Sequence, residues 1–175
     1  MEFNIRPERP SDYQGIREVN ILAFNNQENE AKLVELIRQS ENFIPDLSLV
    51  AETEEHEIIG HILISTITLV SGQGNISTLG LAPMAVKPGY QHKGIGSGLV
   101  SKGLEACRES GYKHIFVLGH PNFYPRFGFT SSKTYGINPP FPVPDEVFMA
   151  LELKNGSLSS MQGRIEYPPA FNSVT

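Results

Sequence analysis

The stretch "MAVKPGYQHKGIGSGLV", residues 84–100, decides how the chain is read. An apolar, strand-like start passes through Pro88 and Gly89, then His92 and Lys93, into a helix start spaced by Gly94, Gly96 and Gly98. Each glycine inside a helix costs about 1 kcal/mol against alanine, so a cluster at one helix mouth needs a reason. The first N–H groups of a helix have no partner within it, and the macrodipole adds about half a positive charge there. Glycines remove the side chains that would hold an anion away. Lys87, His92 and Lys93 gather further positive or polarisable groups alongside. Phosphate is the natural occupant. The same triplet also suits a flexible turn with close helix–sheet packing, and glycines alone do not choose between the two.

Spacing narrows the ligand. A Walker loop needs Gly-x-x-x-x-Gly-Lys-Ser/Thr, which does not occur here. A dinucleotide fingerprint needs Gly-x-Gly-x-x-Gly directly after the first strand of a βαβ unit. Here the glycines lie mid-chain, after what reads as an antiparallel hairpin: "LSLVAETEE" and "EIIGHILISTITLV" are β-branched runs joined by an acidic turn. "STLGLAPMAV" reads as a further strand with an internal Pro83, and "KHIFVLG" as a short buried one. Upstream, Pro10, Ser11 and Asp12 start a helix carrying Ile16, Val19, Ile21, Leu22 and Phe24, and a second helix carries Ala31, Leu33, Val34, Leu36 and Ile37. After the glycines, Ile95, Leu99, Gly103 and Cys107 follow one helical face, and Gly111 closes it. "PNFYPRFGF" reads as a one-turn helix or tight loop, and "VFMALELK" as a strand. The predicted fold class is α/β (α+β): a mixed, mostly antiparallel sheet of about seven strands flanked by helices.

Composition excludes several classes. With 39% hydrophobic residues over 175 positions, the chain supports one domain with a sizeable core. No apolar run approaches the roughly 20 residues of a membrane span, so no membrane partner is expected. The balance of 14 basic against 19 acidic residues, net −5, argues against a nucleic-acid partner. A lone Cys107 leaves no intramolecular disulfide and no cysteine zinc site, and no metal is expected. "MEFNIRPERP" has neither the basic nor the apolar region of a secretory signal, so a cytoplasmic location is expected.

The whole pattern resembles motif A of the GCN5-related N-acetyltransferases, the GNAT family, with Gln91, Gly94 and Gly96 on its Gln/Arg-x-x-Gly-x-Gly/Ala core. The order of strands and helices is similar over nearly the whole chain. The resemblance implies acetyl-CoA as co-substrate, its pyrophosphate cradled by the loop Gln91, His92, Lys93, Gly94, Ile95, Gly96 and Ser97. It further implies that strands 4 and 5 splay apart, that Pro83 marks the break, and that Met84, Ala85 and Val86 line the pantetheine arm. Asn122 resembles a further coenzyme contact. An edge-strand proline without a ligand is the alternative for Pro83.

Acyl transfer to an amine needs a polarised carbonyl and a way to receive the departing thiolate. Tyr124 stands where family members often carry the tyrosine that protonates the coenzyme sulfur, and a phenol near pKa 10 suits that task. Ordinary packing among Phe123, Phe127 and Phe129 is its other reading. The oxyanion would meet the N–H of Met84 or Ala85. Glu52, His61 and His120 are candidate bases, His120 first because it ends the strand leading to Tyr124; ordered water in place of a base is also open. Lys87 and Lys93 are candidates beside the phosphates, and Cys107 belongs to the core.

The expected activity is therefore direct acetyl transfer to a primary amine of a small-molecule or peptide acceptor, with a non-catalytic acyl-CoA sensor or a nucleotide-binding regulatory domain as alternatives. Glu28, Glu30, Glu52, Glu54 and Glu55 suggest attraction for a cationic amine. Residues 1–154 are expected to form the acetyltransferase domain, and 155–175 an extension packed on it. "FYPRFGF" and "YPPAF" resemble landmarks of a set of bacterial acetyltransferases. Family members often form dimers, so a homodimer is allowed, although no residue here fixes an interface.

Overall fold

The structure, a computed structural model, describes residues 2–172. Phe3–Pro7 forms β1, Tyr13–Ala23 α1 and Asn29–Arg38 α2. The β-branched runs flanking the acidic turn become β2 (Ser48–Thr53) and β3 (Ile58–Ser71), paired antiparallel. β4 (Gly74–Val86) returns along β3, α3 (Ile95–Glu109) crosses over, and β5 (His114–Leu118) lies parallel to β4. The short strands β6 (Thr130–Ser131), β7 (Ile137–Asn138), β8 (Phe148–Glu152) and β9 (Gly163–Glu166) follow. Among the described residues, nine strands make one mixed sheet ordered β1-β2-β3-β4-β5-β8-β6, with β9 added to β3 and β7 to β9. The mixed, mostly antiparallel sheet matches expectation. The count exceeds seven because two-residue strands such as β6 and β7 carry no periodicity to read.

β3 is long enough to take two partners on one edge. β2 covers its first half, up to Leu63, and β9 covers Thr68–Ser71. Asn42 fills the interval: its carbonyl accepts from the Thr66 N–H, and its side-chain amide donates to the Thr66 carbonyl and hydroxyl. The C-terminal segment is thereby built into the main sheet.

The sheet buries both faces. Leu49, Ala51, Ile62, Ile64, Leu99 and Cys107 pack between it and α3, while Ile16, Val34, Ile37, Val50 and Leu63 pack beneath α1 and α2. Burial pushes the Cys107 thiol up to about 12, the mark of a core residue rather than a nucleophile. The expected helical faces need trimming. In α1 the buried positions are Ile16, Val19 and Asn20, and Leu22 is 39% exposed; in α2, Leu36 is 40% exposed. The 3.6-residue period selects one stripe, and an apolar residue beside it lands in solvent.

Candidate active site

The site begins where β4 leaves β5. These strands pair only through Leu79, Gly80 and Leu81 against Ile115, Phe116 and Val117. Beyond Leu81 the register of β4 on β3 slips, between Ile62 and Ile64, and Pro83 has no N–H to offer a ladder. The two strands part as expected. Ladder alternation fixes what the open edge presents. The Lys87 N–H donates to the Ile59 carbonyl at 2.9 Å, so the backbone groups of Lys87 and Ala85 face β3, and those of Met84 and Val86 face the gap. Ala85 therefore departs from its expected place: its N–H and carbonyl belong to the pairing with His61.

The loop after Val86 is wound by residues with positive φ: Gly89 at 92°, His92 at 64° and Gly94 at 85°. Among the described residues, no backbone N–H from Gln91 through Ser97 has a protein hydrogen-bond acceptor. They form a row of donors running into the positive end of α3. The glycine triplet has three separate causes. Gly94 takes a left-handed conformation as the residue before α3. A Cβ on Gly98 would sit 3.1 Å from Ile5 Cδ1, so Gly98 lets α3 lie against β1. A Cβ on Gly96 would meet only Met84 and Val86 side chains at 3.6–3.8 Å, ordinary contact. Neither backbone nor packing demands that glycine; it stays bare where the helix mouth meets the gap. Packing and anion binding thus share the motif.

The basic residues divide. Lys87 donates to Glu57 at 2.7 Å, and Tyr90 donates to the other Glu57 oxygen at 3.2 Å, so Lys87 is already neutralised. Lys93 is exposed and has no protein partner among the described residues. Gln91 reaches back to the Val86 carbonyl at 3.4 Å.

Tyr124 stands at the far end of the gap, at the start of the 3-10 turn Tyr124–Phe127. Its ring packs edge-on against Phe123 and Phe129, with centroids 5.0 and 5.7 Å away. Burial pushes the phenol up to about 12, so it holds its proton at neutral pH, and its hydroxyl has no hydrogen-bond partner among the described residues. Gly119, which sequence reading passed over, makes this placement work. A Cβ there would lie 2.3 Å from Tyr124 Cε2, so only glycine lets the ring cross the end of β5. The signal was present in "VLGH", a glycine directly after an apolar strand. His120 is exposed beside the gap, and its carbonyl accepts from the Tyr124 N–H at 3.4 Å. Asn122 is exposed on the same turn.

Glu52 and His61 do not reach the gap. Glu52 is clamped by Arg6, which also holds Asp12. His61 is fully buried between Asn20 and Ser48.

Met84, Leu118, His120 and Tyr124 all line one cavity of about 1030 Å³. Its other walls come from the α1–α2 corner, through Phe24, Glu30 and Leu33, and from Phe141, Tyr167 and Phe171 of the C-terminal segment. Of the acidic residues singled out in the sequence, only Glu30 lines it.

A sheet split beside an amide-lined helix mouth, with a buried tyrosine at the split, defines an acyltransferase architecture, and sequence comparison agrees. The profile described as "Acetyltransferase (GNAT) domain" matches residues 45–131. The "uncharacterized N-acetyltransferase YhbS" of Escherichia coli K12 is 33% identical over 168 residues, covering 96% of this chain and 98% of the relative. YjhQ of the same strain, another "uncharacterized N-acetyltransferase", is 39% identical over 137 residues, covering 78% and 75%. The chain belongs to the GNAT acetyltransferase family. Its structure superposes on that of Escherichia coli YhbS in complex with CoA with a TM-score of 0.90 at 30% identity, covering 98% of this chain and 93% of that one. A GNAT acetyltransferase of Brucella melitensis, in complex with acetyl-CoA, gives 0.78 at 30% identity, covering 97% and 98%.

Proposed function

We propose that this protein transfers an acetyl group from acetyl-CoA to a primary amine, directly, in a ternary complex. The observation that carries the reading is the placement of the unpaired Gln91–Ser97 amides beside the gap-facing edge of Met84 and Val86, with Met84 and Tyr124 lining the same cavity. The amides from Gln91, His92, Lys93, Gly94, Ile95, Gly96 and Ser97 hold the diphosphate, and Lys93 adds charge. Met84 and Val86 bond the pantetheine amides as an added strand would. Asn122, on the exposed turn, completes the coenzyme contacts. The CoA-bound and acetyl-CoA-bound relatives support this assignment.

When bound, acetyl-CoA supplies a thioester as electrophile. The Met84 N–H faces the gap and stabilises the oxyanion, a role that Ala85 cannot share. The amine nitrogen bonds the acyl carbon as the carbon–sulfur bond breaks. The Tyr124 proton passes to the thiolate, and the phenolate recovers one from the new amide nitrogen. The ammonium must first shed a proton, to His120 or through water at the exposed side of the cavity.

The same reading takes residues 1–154 as the catalytic domain and 155–175 as an extension on it. The pairing of β9 with β3 supports this, while residues 173–175 lie outside the described ones. It groups the chain with bacterial acetyltransferases carrying the "FYPRFGF" and "YPPAF" landmarks. Cytoplasmic action and self-association as a homodimer belong to the proposal too, the latter checked by light scattering. Calorimetry with acetyl-CoA tests the core of it: binding in the micromolar range is expected, and no binding at millimolar ligand overturns the assignment.

A further inference from the structure

The cavity wall beyond Tyr124 has a chemistry of its own. Tyr167 stacks on Phe171 with centroids 4.4 Å apart and planes 16° from parallel. Phe141 stands edge-on to Tyr167 at 6.2 Å and is 46% exposed. A large aromatic ring left open inside a cavity loses little and gains much when an apolar surface covers it. The charged side chains of the wall are few. Arg164 and Glu166 neutralise each other at 3.0 Å. Glu30, on the first turn of α2, lines the same cavity and has no partner among the described residues. The lining carboxylate left uncompensated is therefore single.

Resting on the acetyltransferase reading, we infer that the acceptor is a monocationic primary amine with a flat or branched apolar body, of the arylalkylamine kind. Its body covers Phe141 and Tyr167, and its charge is drawn in by Glu30 and by the aromatic faces. A polyamine or lysine-rich peptide brings several charges to a wall that offers one free carboxylate, and each unmatched charge loses hydration without return. Specificity here comes from that mismatch as much as from attraction.

The test is equilibrium titration of 2-phenylethylamine, spermidine and a lysine-rich peptide into the full chain, with and without saturating coenzyme A. The expected result is 2-phenylethylamine tightest by about tenfold or more, with Phe141→Ala and Glu30→Gln each weakening it about tenfold. Glu54→Gln, in the exposed β2–β3 turn, serves as the unchanged control. Spermidine or peptide binding as tightly, or neither variant changing the affinity, overturns the inference. Coenzyme A failing to bind brings down the acetyltransferase reading instead, and the coenzyme-free titration still decides the acceptor class by the same comparison.

Discussion

Two polar regions of this molecule look alike in composition and behave oppositely. At the cavity stand Glu30, Tyr124 and His120, with the glycine-loop amides beside Met84 of its wall; at the base of α1 and α2 stand Glu8, Ser48, His61, Asn20 and Arg38. The second group even resembles a nucleophile with its base and orienting acid. Its bonding says otherwise. The Asn20 amide nitrogen donates to the Ile16 carbonyl at 3.0 Å and to His61 Nδ1 at 3.2 Å. His61 Nε2 therefore carries the proton and donates to Ser48 Oγ at 3.0 Å, and the Ser48 hydroxyl donates to Glu8. Arg38 closes the chain by donating to both Glu8 oxygens, at 2.8 and 3.1 Å. Apart from Asn20 Oδ1, which has no partner among the described residues, these donors and acceptors are spent within the fold. At the cavity the same kinds of group are left unspent. A site is recognised by what its polar atoms still lack.

The largest effect that separates the two regions is on turnover. Tyr124→Phe keeps the ring and its packing and removes only the hydroxyl that donates the proton. The expected loss in kcat is about 10²–10⁴-fold with coenzyme A affinity unchanged. Gly119→Ala attacks the same group from outside, because its Cβ would press on a ring already wedged between Phe123 and Phe129. A loss approaching 10²-fold in kcat is expected from the displaced hydroxyl. If both variants turn over at the parent rate, Tyr124 is a packing aromatic and the comparison fails.

Much of this was legible in the sequence because it was local. The β2–β3 hairpin, α3 and its buried face, the break at Pro83 and the glycine loop are each written within about 15 residues, where periodicity and turn chemistry act. What escaped depends on residues far apart in the chain. Ala85 differs from Met84 only in which way the ladder turns it, and that is set by its pairing with His61. Glu30 stands out from the other acidic residues because it lines the cavity, while Glu28 is taken by Arg17 and Glu52 by Arg6. Gly119 has meaning only through a ring five residues on. His61 sits in an alternating strand like a cleft residue, and its enclosure comes from α1, which no strand pattern reveals.

The next effect is on stability, and it belongs to the enclosed region. Burial holds His61 down at about 3, and the nearby positive charge of Arg38 pushes it the same way. The unfolded chain takes up this proton near pH 6.5 and the folded chain does not, so the contribution is intact above about pH 6.5 and lost as pH falls. One such group costs about 1.4 kcal/mol per pH unit through that window. His114, also lowered by burial, acts with the same sign, whereas Asp12 and Glu52 enter only at more acid pH. Urea unfolding between pH 6.5 and 4.5 should show the slope, and His61→Gln should reduce it by about one proton. An unchanged slope would mean that solvent reaches His61 and that the region is not closed.

The smallest effect sharpens the line between spent and unspent groups inside the loop itself. Lys87 and Lys93 flank the same row of amides, and composition cannot tell them apart. Lys87 is held by Glu57, which Tyr90 also engages, so its charge is already answered. Exposed pairs of this kind contribute about 0.2–1 kcal/mol, so Lys87→Gln should change stability by no more than about 1 kcal/mol and coenzyme A affinity by less than about fivefold. Lys93 has no such partner, and removing its charge takes a cation from beside the diphosphate. Lys93→Gln should therefore weaken coenzyme A more than Lys87→Gln does, and the difference should shrink as salt is raised. Calorimetry on both variants at low and high ionic strength reads this directly. If Lys87 proves the more important of the two, Glu57 must release it when ligand arrives, and pairing in the free protein would no longer separate structural charge from functional charge.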